Sequence, residues 1–153
     1  MQTRQSIELT IPAIAAAAGQ KRTRQQHARE RAEDYVKAIA DLINSVGEAR
    51  ATDLAKRMGV SHVTVIQTIR RLTLKGLVHA EPYRSIFLTP TGEIMATTAR
   101  KRHATIVQFL CALGIPRNVA LQDAEGIEHH VSQETLQVFK AFLAKGENNA
   151  TKI

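Results

Sequence analysis

A chain of 153 residues with 44% hydrophobic, 23% charged and only 4% aromatic side chains forms one ordinary domain or two very small ones, and its Ala- and Leu-rich make-up argues against a β-sandwich. Cys111 is the single cysteine, which excludes an intrachain disulfide, and no apolar run approaches the ~20 residues needed to cross a bilayer, so a cytoplasmic location is expected. A net charge of +7 and a pI near 10.0 favour a polyanionic partner.

The opening "MQTRQSIELTIPAIAAAAGQ" imitates a signal peptide, but Glu8, Thr10 and Pro12 break its apolar patch. With the polar "GQKRTRQQHARERAE" after it, residues 1–28 are expected to be a flexible extension or a frayed helix entry. "EDYVKAIADLINSVG" sets Tyr35, Val36, Ile39, Leu42, Ile43 and Val46 at helical spacing and stops at Gly47. A short helix through "ATDLAKRMGV" ends at Gly59. Ser61 then caps "HVTVIQTIRRLTLKG", whose inner stripe is Val65, Ile69 and Leu72. "LVHA" and "SIFL" read as two short strands around a tight "EPYR" turn. Thr89 and Pro90 start a long helix that runs to Gly114 and carries Cys111 as a small buried hydrophobe. Pro116 opens the next helix, and Ser132 caps the last.

Helix, helix, turn, helix and β-hairpin in sequence form a winged helix-turn-helix. The N-terminal turn of its third helix fits the major groove of duplex DNA. The positions expected to be exposed there are Ser61, His62, Val63, Thr64, Gln67 and Thr68, with Arg70 and Arg71 beyond them. Tyr83, Arg84 and Ser85 form the wing tip. Hydroxyl and amide groups read bases, and guanidinium groups neutralise phosphates. Protein contact alone is the bland alternative; the charge and the basic wing favour DNA. Residues 1–31 hold six Lys/Arg against two acids and residues 32–113 eleven against seven, whereas residues 114–153 hold four against five. A basic front and an acidic end suit a nucleic-acid surface followed by a sensing or assembly region.

The acidic end contains "DAEGIEHHV". On a helix, Glu125, Glu128 and His129 lie at i, i+3 and i+4 and share one face. Carboxylates crowded in that way need a divalent metal, a buried Arg or Lys, or solvent between them. His130 points about 100° away and is read as a structural neighbour, and His27, His62 and His79 as surface histidines.

Taken together, "EDYVKAI", "VGEARATDLAKRMGVS", "VTVIQTIRRL", "YRSIFLTPTGE", "RHATIVQFL" and "DAEGIEHHVS" resemble the manganese transport regulators of the diphtheria-toxin-repressor family, from about Arg31 to about Lys145. The resemblance implies a mainly α fold with a small β-hairpin wing. An N-terminal winged helix-turn-helix over 29–90 would precede an all-helical metal-binding and dimerisation domain over 91–147, with a disordered tail at 148–153. It also implies a cytoplasmic homodimer that binds double-stranded operator DNA when loaded with Mn(II) and represses manganese uptake. The implied ligands are Asp34, His103, Glu125, Glu128 and His129. Carboxylates and imidazoles without thiolate suit Mn(II), and Fe(II) is the alternative ion.

One position departs from the family pattern. Lys37 stands where these regulators usually carry a second first-helix carboxylate, and a protonated ammonium cannot ligate a metal. One tight ion per protomer is therefore expected, held by Asp34, Glu125, Glu128 and His129. Lys37 either stands in for the second cation by bridging Glu125 or Glu128, or forms a surface pair with Glu33, four residues before it. Two other classes remain beside the metal-sensing repressor. One is a winged-helix regulator answering an organic ligand, with the Glu/Glu/His face structural. The other is a metallohydrolase, disfavoured because no HExxH or evident nucleophile is present. No small organic substrate and no membrane partner are expected. The apolar faces of "IVQFLCALGI" and of the helix after Pro116 are the expected dimer surface.

Overall fold

The computed structural model describes residues 3–150, with side chains from Ala16 to Gly146. The elements are α1 (Thr3–Val46), α2 (Ala51–Met58), α3 (His62–Leu74), β1 (Val78–Ala80), β2 (Ile86–Leu88), α4 (Pro90–Ala112), α5 (Arg117–Ile127) and α6 (Gln133–Ala150). The chain is mainly helical, with one two-stranded hairpin.

Two apolar cores are built from one run of helices. In the first, Tyr35, Val36, Ile39 and Leu42 of α1 pack with Leu54, Val65, Ile69, Leu72, Val78, Ile86 and Ala96. This is the stripe read from the sequence, except that Val46, in the last turn of α1, is 67% exposed. In the second, Ile106 and Val107 of α4 meet Ala120 and Ala124 of α5 and Leu136 of α6. Cys111 is half-buried at its edge, more open than expected. The middle of α1 lies against α4 between the two cores, so polar residues on that side of α1 face both halves.

The expected caps close the helices. Gly59 turns the chain after α2 with φ 64°, a left-handed conformation for which glycine carries no Cβ penalty. The Ser61 hydroxyl accepts from the Thr64 amide, and Thr89 does the same for Gly92 at the start of α4. β1 and β2 pair antiparallel with Val78 opposite Leu88 and Ala80 opposite Ile86. The Ile86 amide also donates to the Ala49 carbonyl at 2.7 Å, which pins the wing to the loop between α1 and α2. Gly92 is needed for close approach: a Cβ there would lie 2.0 Å from the Leu77 carbonyl oxygen.

Residues 1–28 are expected to be a flexible extension or a frayed helix entry, and from Thr3 onward they form helix. Helical backbone runs back to Thr3, and residues 16–29 lie exposed along it. Ala-, Gln- and Arg-rich sequence has good helix propensity even where nothing covers it. Residues 1 and 2 lie outside the described residues, as do 151–153 of the expected tail, while α6 continues to Ala150.

Candidate metal centre and nucleic-acid interface

The candidate metal centre lies where α1, α4 and the end of α5 meet. α1 presents Asp34 and Lys37 one turn apart on the side away from Val36 and Ile39. α4 brings His103. α5 ends at Ile127, so Glu128 is its C-cap and His129 lies in the turn beyond. Glu128 keeps helical dihedrals and its amide donates to the Ala124 carbonyl, so Glu125 and Glu128 still share a face, while His129 turns toward Asp34. Glu125 remains on the helix with its side chain 63% exposed, while Glu128 turns fully inward.

The result is two groups sharing one carboxylate. Asp34, Glu128 and His129 bring ligand atoms together, and so do His103, Glu125 and Glu128. His129 Nε2 is 3.3 Å from Asp34 Oδ1 and 3.8 Å from Glu128 Oε1. His103 Nδ1 is 3.0 Å from Glu128 Oε2 and 3.8 Å from Glu125 Oε1. Asp34 and His129 are thus adjacent, as the family pattern implies. Glu125, expected with Asp34 and His129 in the tight site, groups with His103 and Glu128, the set that the family resemblance implies for a second ion.

Lys37 decides the electrostatics. Its Nζ donates to Glu128 Oε1 at 2.7 Å and lies 3.9 Å from Glu125 Oε2, with the side chain 14% exposed. The surface pairing with Glu33 does not form, because Glu33 is buried and already accepts from Arg29 and Arg102. A carboxylate with no solvent access is sustained only by paired charge and hydrogen bonds. Glu128 obtains both from Lys37 and His103. Burial raises the Asp34 carboxyl above its ordinary range, while His129 and Lys37 pull it back. Oxygen and imidazole donors without sulfur suit a hard divalent ion, and the buried, cation-demanding Glu128 is the feature of this chain that fits one.

A second carboxylate lies near the histidine. His129 Nδ1 is buried without a hydrogen-bond partner, and Glu33 Oε2 is 3.8 Å from it. An imidazole whose Nδ1 faces a carboxylate keeps Nε2 for a ligand, and here Nε2 faces Asp34 and Glu128. Sequence reasoning missed Glu33 and Arg102; the only local signal was an acid immediately before Asp34. His130 is exposed, with Nδ1 3.2 Å from Gln26 Nε2.

On the winged helix-turn-helix, His62, Val63, Gln67, Arg70 and Arg71 are exposed on α3 and Tyr83 and Arg84 at the wing tip. Four positions differ from expectation in their freedom. Thr68 is buried, and its hydroxyl donates to the Thr64 carbonyl. It lies three residues after Val65 and four before Leu72, so it belongs to the inner stripe and cannot read a base. The Ser61 and Thr64 hydroxyls lie 2.8 Å apart in the capping turn. Ser85 is half-buried and donates to Glu48 at 2.7 Å, which with Arg50 holds the Glu48 carboxyl below its ordinary range. Tyr83 takes φ 60° in the turn between the strands, a strained conformation for a non-glycine residue.

The comparisons agree with this layout. The profile described as iron dependent repressor, N-terminal DNA binding domain, matches residues 27–86. The profile described as iron dependent repressor, metal binding and dimerisation domain, matches residues 89–151. The transcriptional regulator MntR of Salmonella typhimurium strain LT2 is 49% identical over 132 residues, 86% of this chain and 84% of the relative. MntR of Escherichia coli O157:H7 is 47% identical over 127 residues, 83% of this chain and 82% of the relative. Among solved structures, a manganese-dependent transcriptional repressor in complex with manganese superposes with a TM-score of 0.67 at 32% identity over 74% of this chain and 53% of that one. The manganese regulator SloR gives 0.64 at 29% identity over 74% and 53%. This chain spans about half the length of those solved structures. With a DNA-binding domain followed by a metal-binding and dimerisation domain, matched over both halves, the chain belongs to the iron-dependent repressor family of transcriptional regulators.

Proposed function

We propose that this protein is a manganese-responsive repressor: a cytoplasmic homodimer that binds operator DNA when Mn(II) is bound and thereby represses manganese uptake. It is a regulator and not an enzyme, as its relatives are. Asp34, Glu128 and His129 are the protein ligands of one tight ion per protomer. The observation that carries this reading is the buried Glu128, shared between two ligand groups, whose Oε1 accepts from the Lys37 ammonium at 2.7 Å while its Oε2 faces His103 Nδ1 at 3.0 Å. When bound, the ion supplies the positive charge that ties α1 to the end of α5. Lys37 supplies the charge that a second ion would otherwise bring to His103, Glu125 and Glu128.

The protein's own residues complete the switch. α1 is shared between the first core and the metal centre, so fixing Asp34 against Glu128 and His129 fixes the half that carries α3. In a dimer two such halves must meet successive grooves at one spacing. Exposed Leu113, Val119, Leu121, Val138 and Phe142 on α4, α5, α6 and their junctions form the apolar surface for the second copy. His62, Val63 and Gln67 face base edges, and Arg70, Arg71, Tyr83 and Arg84 face the backbone. Ser61 and Thr64 shape the capping turn between them.

The test is a titration of Mn(II) and, separately, Fe(II) against duplex DNA carrying an uptake-gene promoter, with metal content measured on the same sample. DNA retention that requires Mn(II), is abolished by chelator and saturates at one equivalent per protomer is expected. Chelator-resistant retention would defeat the switch, and two tight equivalents would defeat the stoichiometry. Equal response to Fe(II) would broaden the ion assignment.

A further inference from the structure

The stretch of α1 from Ala16 to Arg29 supplies no ligand to the metal centre and lies outside the winged helix-turn-helix. From Ala16 to Arg29 every residue is exposed, so among the described residues no apolar face covers that part of the helix. A polar helix without a packed face needs charge pairs or a partner to hold it. Acids are scarce: Glu30 is the one acid between residues 16 and 31, against Lys21, Arg22, Arg24, Arg29 and Arg31. Arg29 is paired with Glu33. Among the described residues, no ion pair engages Lys21, Arg24 or Arg31.

Helical spacing gathers the unpaired cations. At about 100° per residue, Lys21, Arg24, His27 and Arg31 fall within roughly a third of the helix circumference. That stripe leads to the reading head. His27, Glu30, Arg31, Asp34 and Tyr35 form one wall of a cleft whose other wall is Met58, Val60 and Thr64, at the turn into α3. Arg31 and His27 thus adjoin the N-terminal turn of the recognition helix, and the stripe continues from there for about 15 Å back to Lys21.

We infer that the basic stripe Lys21, Arg24 and Arg31 is an extension of the DNA-binding surface, which binds backbone phosphates flanking the sequence read by α3. It rests on the DNA-binding reading above and adds a contact outside the winged helix-turn-helix. Duplex DNA is the occupant because its phosphates complement a row of unpaired cations and because the row adjoins the surface that already faces DNA. Such contacts position the protein and add affinity without reading sequence.

The experiment uses the full chain and a duplex enriched from a random-sequence pool by Mn(II)-dependent retention on the wild-type protein. Affinity is measured from about 50 to 200 mM salt for wild type and for K21Q/R24Q/R31Q, with Mn(II) binding followed on the same preparations. Each lost phosphate contact lowers the slope of log affinity against log salt by about 0.9, so a slope shallower by about two to three per protomer is expected. The hydroxyl-radical footprint should retract at its outer edges while Mn(II) binding stays at the wild-type level. The charge-preserving K21R/R24K/R31K protein should keep the wild-type slope. An unchanged slope and footprint in the glutamine variant, or a lost slope in the charge-preserving one, overturns the proposal. Failure of the wild-type protein to enrich any duplex overturns the DNA-binding reading itself.

Discussion

Replacing Lys37 by methionine tests the electrostatic core of the site without changing side-chain length greatly. Glu128 is fully buried, and among the described residues its hydrogen bonds are to Lys37 Nζ at 2.7 Å and His103 Nδ1 at 3.0 Å. Removing the ammonium leaves a buried carboxylate with one partner, a change that costs about 3 kcal/mol in buried pairs. For a chain of this size each kcal/mol moves the melting temperature by about 2–4 °C, so Lys37→Met should melt about 10 °C below wild type in EDTA. Adding Mn(II) should recover most of that loss, because a second divalent ion can now approach His103, Glu125 and Glu128. The Lys37→Met/Glu128→Gln protein should melt above Lys37→Met alone in EDTA, since the stranded charge is gone. Circular dichroism melts with EDTA and with Mn(II) give all of these values. A Lys37→Met protein that melts within a degree or two of wild type in EDTA refutes the claim that Glu128 depends on this ammonium.

Three further outcomes follow from particular contacts. Glu33→Gln should weaken Mn(II) binding by about 10–100-fold in an equilibrium titration, because Glu33 Oε2 is the carboxylate facing the unpartnered Nδ1 of His129; unchanged affinity removes Glu33 from that role. Gly92→Ala should lower stability by more than about 2 kcal/mol, because its Cβ would meet the Leu77 carbonyl oxygen at 2.0 Å; a wild-type denaturant midpoint would show that β1 and α4 can part freely. Tyr83→Gly should leave the melting temperature unchanged or raise it, since φ 60° costs a β-carbon residue about 1 kcal/mol. The same change should weaken DNA binding in a gel shift, and a clear loss of stability would contradict the strain argument.

The elements and caps were legible because each rests on local chemistry. Ser61, Thr89 and Gly59 cap or end their helices where the sequence puts them, and the hairpin falls where β-like runs flank "EPYR". The metal centre was legible only in part. Spacing of three and four residues shows a shared face only while the helix lasts, and α5 stops at Ile127. Glu125 and Glu128 stay together beside His103, while His129 in the turn beyond faces Asp34. Thr68 was misread for the opposite reason: a polar residue looked exposed although its place in the α3 register is inward. The choice between Lys37 pairing with Glu33 or with Glu128 depended on Arg102, which approaches Glu33 from α4, 69 residues away.

Lys37 also limits how steeply the switch can respond. A ligand shifts an equilibrium only by its differential affinity for the two states, and a Hill coefficient cannot exceed the number of coupled sites. On the proposed one-ion reading the ammonium neutralises the second group in both states, so it contributes nothing to the metal-dependent shift. With one ion per protomer, a dimer has two coupled sites, and Mn(II)-dependent DNA binding should rise with a Hill coefficient no greater than two. Lys37→Glu returns a carboxylate beside His103, Glu125 and Glu128. It should raise the metal content toward two per protomer and steepen the DNA-binding curve beyond two, at the cost of a less stable metal-free protein. Fluorescence anisotropy of labelled duplex against buffered free Mn(II) measures both curves. A wild-type coefficient clearly above two shows that more than one ion per protomer drives the transition, and the ammonium then cannot be the substitute cation.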